Sequence, residues 1–176
     1  MIKKISILAF ALALFSCNQQ KEAEANTSLT YFDIKGYFGK EISRLQQLNP
    51  NVDKTVSING VSENKTAKIT DWTKELAIFV NADINKTSWK GSFDALKQNG
   101  MDIYTSDSKK IPIKKISVMQ NGKKVGKIEI IIDNKNILYQ SNDTLTYYPD
   151  SLYSIKKHQK IRLLSDKKYL VTGKLK

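Results

Sequence analysis

The sequence predicts an α+β fold, with two N-terminal helices packed on a curved antiparallel β-sheet. Three observations predict it. Apolar residues recur every three or four positions near Tyr31–Leu48 and again near Trp72–Val80. From Trp89 onward the apolar period falls to two. The alternating segments are separated by short polar turns, which implies a meander rather than parallel strands with crossovers.

In the first helical segment Tyr31, Ile34, Phe38, Ile42, Leu45 and Leu48 form one face. Thr27 or Ser28 is placed to cap its start, and Asn49-Pro50 ends it. Gly36 and Gly39 weaken this helix unless they let another backbone approach. Val52, Val56 and Ile58 then alternate up to Asn59-Gly60, a strong hairpin signal. The second helix begins at Thr70 or Asp71 and carries Trp72, Leu76, Phe79 and Val80 on one face. Trp89, Gly91 and Phe93 alternate, followed by Met101, Ile103 and Thr105. Ile111–Gln120 and Lys123–Ile132 flank Asn121-Gly122, the clearest hairpin in the chain, and Gly126-Lys127 breaks the alternation as a bulge would. Ile137–Tyr139, Thr144–Tyr148, Tyr153–Ile155, Lys160–Leu163 and Tyr169–Leu175 continue as short strands.

The N-terminus reads as an address. Met1–Lys4 carries two cations and Ile5–Phe15 is an apolar run broken only by Ser6. The run is too short to span a bilayer comfortably and reads as the apolar region of a signal peptide. Leu14-Phe15-Ser16-Cys17 follows, with an apolar residue three before the Cys and a small one just before it. This resembles the lipobox of bacterial lipoproteins. The resemblance implies cleavage before Cys17, diacylglyceryl transfer to its thiol and acylation of the new amino terminus. Cys17 is then a lipidation site and membrane anchor, with palmitate-class chains, rather than a nucleophile. Several acyl chains hold stably, at about 0.8 kcal/mol per buried methylene. Asn18 in place of Asp after the Cys resembles outer-membrane lipoproteins, with the periplasmic or surface face left open. The expected organisation is a signal peptide over 1–16, a polar tether over 17–28 and one domain over 29–176.

The order of helices and strands also resembles half-barrel lipoprotein carriers of the Gram-negative envelope. In these a curved sheet cups helices and an acyl chain binds between them. The resemblance is architectural and transfers no residue.

Composition narrows the chemistry. The 176 residues include 29 Lys+Arg against 17 Asp+Glu, for a formal charge of +12, with 40% hydrophobic residues. That apolar share is enough to bury a core. One Cys and one His leave neither a disulfide framework nor a Cys- or His-built metal site. No cofactor motif is present, whether Walker A, G-x-G-x-x-G, G-x-S-x-G or H-E-x-x-H. Arg44 and Arg162 are the only arginines, and nucleic-acid sites favour arginine, so no nucleic-acid partner is expected. The lysine pairs, such as Lys156-Lys157 and Lys167-Lys168, protect strand edges or attract anionic headgroups or acidic glycans.

His158, set among Lys156, Lys157, Gln159 and Lys160, could act as a general base but reads as a solvated strand or turn residue. Asp133-Asn134-Lys135-Asn136 reads as a plain turn rather than a calcium loop. Tyr147, Tyr148, Tyr153 and Tyr169 cap a sheet core or border a ligand. Asp143-Thr144-Leu145 and Asp150-Ser151-Leu152, both placed at turns, resemble an O-glycan acceptor pattern of envelope proteins.

The leading expectation is a non-enzymatic, lipid-anchored envelope protein binding an apolar ligand or lipid within the sheet. Phe38, Ile42, Trp72 and Phe79 on the helices would oppose Ile128 and Ile130 on the strands, as core residues first and ligand residues second. The alternative is an interaction subunit of an envelope complex with a filled core. A hydrolase would need convergent side chains that the sequence does not reveal.

Overall fold

Asp33 starts the first helix. The computed structural model describes residues 29–176; Cys17 and the expected signal peptide and tether lie outside them. The Asp33 side chain accepts from the Gly36 backbone N–H at 2.8 Å. A Cβ on Gly36 would sit 2.0 Å from that carboxylate, so the cap demands glycine here. The close neighbour is therefore a capping side chain and not a second backbone, and Gly39 faces open space. Helix α1 spans Ile34–Leu48, which leaves Tyr31 ahead of the helix and makes Asp33 its cap in place of Thr27 or Ser28. Asn49 ends it in the left-handed conformation (φ 45°), donating its N–H to the Leu45 carbonyl.

The hairpin β1 (Asn51–Ile58) and β2 (Val61–Lys68) follows, turning on Asn59-Gly60 with both residues at positive φ. Asp71 then caps α2 (Trp72–Glu75), and α3 (Ala77–Val80) follows directly. The expected second helix is thus two single turns. The helices also stand on either side of a hairpin rather than as one N-terminal layer.

Seven strands complete the chain: β3 (Asp94–Gln98), β4 (Met101–Thr105), β5 (Ile113–Asn121), β6 (Lys124–Lys135), β7 (Tyr139–Tyr148), β8 (Leu152–Ile161) and β9 (Lys167–Leu175). They pair antiparallel in chain order, and β1 pairs with β9, so one open nine-stranded sheet runs β2-β1-β9-β8-β7-β6-β5-β4-β3. Trp89, Gly91 and Phe93 are not in a strand; Thr87–Trp89 is a 3-10 turn that leads into β3. The β5–β6 register slips between Met119 and Gln120, opposite Gly126, where the broken alternation predicted a bulge.

One sheet face carries the core. Ile116, Val118, Ile128, Ile130, Leu145, Tyr147 and Tyr153 are fully buried there, with Val52 and the helix residues Phe38, Leu45, Trp72, Leu76 and Phe79. The helices sit toward the sheet end that carries the Pro149–Ser151 turn, where Arg44 reaches Asp150 at 2.7 Å. The opposite end carries the Asn59-Gly60 turn, the β6–β7 turn and the β8–β9 turn.

Candidate functional site

Phe38, Trp72, Phe79, Ile128 and Ile130 are each 0% exposed, and Ile42 is partly buried against them. The helices therefore face the strands that the sequence paired them with. The Phe38 ring lies 4.9 Å from Phe79 and 5.1 Å from Tyr147, and Trp72 stands edge-on to Tyr153 at 6.3 Å. These are contact distances between packed aromatics. Clefts open elsewhere on the described residues. One of about 420 Å³ lies on the far sheet face beside Ser57, Asn142, Lys156 and Lys168, one of about 380 Å³ lies beside Asp53, Thr55 and Lys65, and a smaller one of about 140 Å³ lies beside Tyr31, Ile84 and Asn85. The Trp72 indole N–H is buried with no hydrogen-bond partner among the described residues.

Two tyrosines, opposite one another on β7 and β8, tie the helices to the sheet. Tyr147 donates to Glu41 on α1 at 2.6 Å, and Tyr153 donates to Glu75 on α2 at 2.5 Å. Arg44 grips Glu41 with two N–H groups at 3.0 and 2.9 Å, and the Lys54 ammonium sits 2.7 Å from Glu75. Burial, then the adjacent carboxylates, push both tyrosine hydroxyls well above their ordinary pKa, so they remain donors. Gly173 on β9 lies under the Tyr153 ring, where a Cβ would come 2.2 Å from the ring carbon bearing the hydroxyl. Chemically the network holds protons in place; it anchors.

Glu41 has a pH consequence. Burial raises its pKa, but the hydrogen bonds from Arg44 and Tyr147 outweigh burial, and the net shift is downward. A lowered folded pKa adds stability that is present above the unfolded carboxylate range near 4.3 and is lost as pH falls through the folded value. Glu41→Gln is therefore expected to cost stability at neutral pH and to flatten the loss of melting temperature below about pH 4. Equal acid slopes for Glu41→Gln and the parent in thermal melts would contradict this.

The helices do not reach the other end of the same face. Alternation from Tyr153 and Gly173 puts Ile155 and Ile161 of β8, Tyr169 and Val171 of β9, and Val56 and Ile58 of β1 on this face. Val56 is 38% and Ile58 46% exposed, and the other four are partly exposed. A polar island marks the border. Asp143, 3% exposed, accepts from the Ser141 hydroxyl at 2.7 Å and pairs with Lys157 at 3.2 Å. Burial disfavours the Lys157 charge, Asp143 more than offsets it, and its pKa is raised.

Of this open stretch the sequence singled out only Tyr169, as capping the core or bordering a ligand. Its alternation was visible in Val56/Ile58 and Tyr169/Val171. That the helices stop short of it was not.

The remaining candidates are placed as follows. His158 is exposed on β8 and lies 3.3 Å from Asp166, a carboxylate eight residues on. Asp143-Thr144-Leu145 is in the middle of β7 with Asp143 buried, and not at a turn; Asp150-Ser151 is at one, with Asp150 at φ 57°. Among the described residues no three His, Cys, Asp or Glu side chains group as metal ligands, and no helix is long and apolar enough to cross a membrane. Comparison with protein-family models, curated proteins and solved structures gives no match.

Proposed function

We propose that the chain is a lipid-anchored, non-enzymatic protein of the bacterial envelope. It holds an apolar ligand or lipid on the open stretch of its helix-bearing sheet face. The observation that carries this reading is the continuity of that face. Buried core gives way, without a change of sheet side, to the partly exposed Ile155, Ile161, Tyr169 and Val171. An acyl chain laid there removes apolar surface from water at roughly 25 cal/mol per Å². In this reading the sheet is curved like a half-barrel, and the helices cup only one part of it. Cys17 carries the diacylglyceryl anchor, and the tether up to residue 28 lets the domain stand off the outer membrane.

Native mass spectrometry of the full chain, purified from the envelope of its own host, tests the proposal. The expected result is two separable additions. One is covalent and lost with Cys17→Ser. The other is non-covalent, fragments as lipid and is lost with Val171→Glu. A chain that retains Cys17 acylation yet carries no second addition would sink the ligand reading.

A second reading is supported by the ring-on-ring packing of Phe38, Phe79 and Tyr147. With the space between helices and sheet filled, the domain would serve as an interaction subunit of an envelope complex. Recovery of a fixed protein partner and no lipid from the same purification favours it.

A further inference from the structure

The two turns beside the open face carry four strongly exposed apolar side chains, among them the two most exposed large hydrophobics of the described residues. Ile137 is 86% and Leu138 63% exposed on the β6–β7 turn, and Leu163 is 96% and Leu164 62% exposed on the β8–β9 turn. Single exposed leucines are ordinary, but four on adjoining tips are not. The tips are joined. Tyr139 pairs with Ile161 across β7 and β8, and the Arg162 N–H extends that ladder to the Leu138 carbonyl at 2.9 Å.

Both tips are also built rather than slack. The Asn136 side-chain oxygen accepts from the N–H groups of Leu138 and Tyr139, each at 2.9 Å. Leu163 sits at φ 71°, a left-handed conformation that a bulky residue adopts only when its surroundings impose it. Water offers that side chain no apolar contact.

The flanks are cationic. Lys135, Lys160, Arg162, Lys167 and Lys168 are all exposed, and none has a carboxylate partner within salt-bridge distance among the described residues. The nearby acid, Asp166, faces His158. Apolar tips ringed by unpaired cations match one surface chemistry, acyl chains lying beneath anionic headgroups.

We propose that the β6–β7 and β8–β9 tips are a membrane-docking edge that inserts Ile137, Leu138, Leu163 and Leu164 into the interface of an anionic bilayer. Docking by this edge brings Leu164, and behind it Ile161 and Tyr169, against the acyl region. It also sets the domain upright on the membrane, a matter separate from whether the open face holds a ligand.

The test is depth, so that an anchor elsewhere in the chain cannot imitate the result. The full chain carrying Leu163→Trp is mixed with phosphatidylethanolamine/phosphatidylglycerol vesicles whose acyl chains are brominated. The same is done with Asn64→Trp, on the exposed edge strand β2. The expected result is a blue shift and strong bromine quenching for the tip tryptophan and neither for the β2 tryptophan. Ile137→Asp with Leu163→Asp is expected to weaken vesicle affinity by about tenfold or more. Phosphatidylcholine vesicles are expected to bind less tightly than anionic ones. A chain that pellets with vesicles while its tip tryptophan stays as unquenched as the β2 control overturns the proposal. So does equal affinity for neutral and anionic vesicles, and so does absence of vesicle binding. Lipid recovered by mass spectrometry reports on the open face independently of every one of these outcomes.

Discussion

Gly173→Val lowers the melting temperature by roughly 6–12 °C, taking about 3 kcal/mol and about 2–4 °C per kcal/mol for a chain of this size. The cause is local. The Tyr153 ring occupies the volume that a side chain at 173 would need, with contacts near 2.2 Å to a new Cβ. Tyr153 is fully buried between β9 and the Trp72 ring and has nowhere to yield. Overpacking of this kind costs about 1–3 kcal/mol. Displacing the ring also breaks its bond to Glu75, a charge-assisted hydrogen bond of about 1.5–3 kcal/mol. Tyr153→Phe in the same melts separates the two parts, since it removes the bond and keeps the ring. A Gly173→Val chain that melts with the parent would show that Tyr153 does not lie where it is placed.

Phe38→Ala is expected to cost about 3–5 kcal/mol in urea unfolding. Phe38 is 0% exposed and meets rings from three elements: Tyr37 on its own helix, Phe79 on α3 and Tyr147 on β7. Truncation leaves a cavity at the centre of that group, and the helix and sheet on either side cannot close it cheaply. The outcome also tests whether Phe38 serves the core alone. If Phe38 packs the core, the loss appears in stability and bound lipid is unchanged. If Phe38 lines a ligand site, stability stays nearly constant and bound lipid falls instead.

Periodicity carried much of the fold. The spacing of Ile34, Phe38 and Leu45 found α1, and alternation found the long strands, because burial on one side imposes those periods. Asn59-Gly60 found its hairpin because both residues accept positive φ. In the β5–β6 hairpin, Asn121 pairs with Lys124, so Gly122-Lys123 forms the turn, one residue later than the dipeptide suggests.

Other features depend on partners distant in sequence. Trp89 and Phe93 alternate like a strand, yet they pack as satellites of Tyr31, whose hydroxyl accepts from the Gly91 and Phe93 N–H groups. Strand β8 runs unbroken from Leu152 to Ile161 although its second half is nearly all polar, since β7 and β9 pair with it on both sides. Asp143 looked like a turn residue because its partners, Ser141 and Lys157, are recognisable only once β7 and β8 are in register. The six residues set against one another, Phe38, Ile42, Trp72, Phe79, Ile128 and Ile130, pack into one cluster. Their packing, and the bare stretch beyond them, depend on where short helices stop, which hydrophobic period does not encode.

The pairing of β1 with β9 also sets an order of assembly. Val52–Ile58 finds its inner neighbour only among residues Tyr169–Leu175, more than a hundred positions later. Until the last strand is available, the β1–β2 ribbon has no sheet to join, and an isolated two-stranded hairpin is marginal in water. The strands from β3 to β9 can form by local steps, each hairpin templating the next, whereas the final closure is a long-range event that slows folding. A chain moving N-terminus first through a narrow exit therefore stays unfinished until its C-terminus follows, and loss of the last nine residues would remove the seam that joins its two ends.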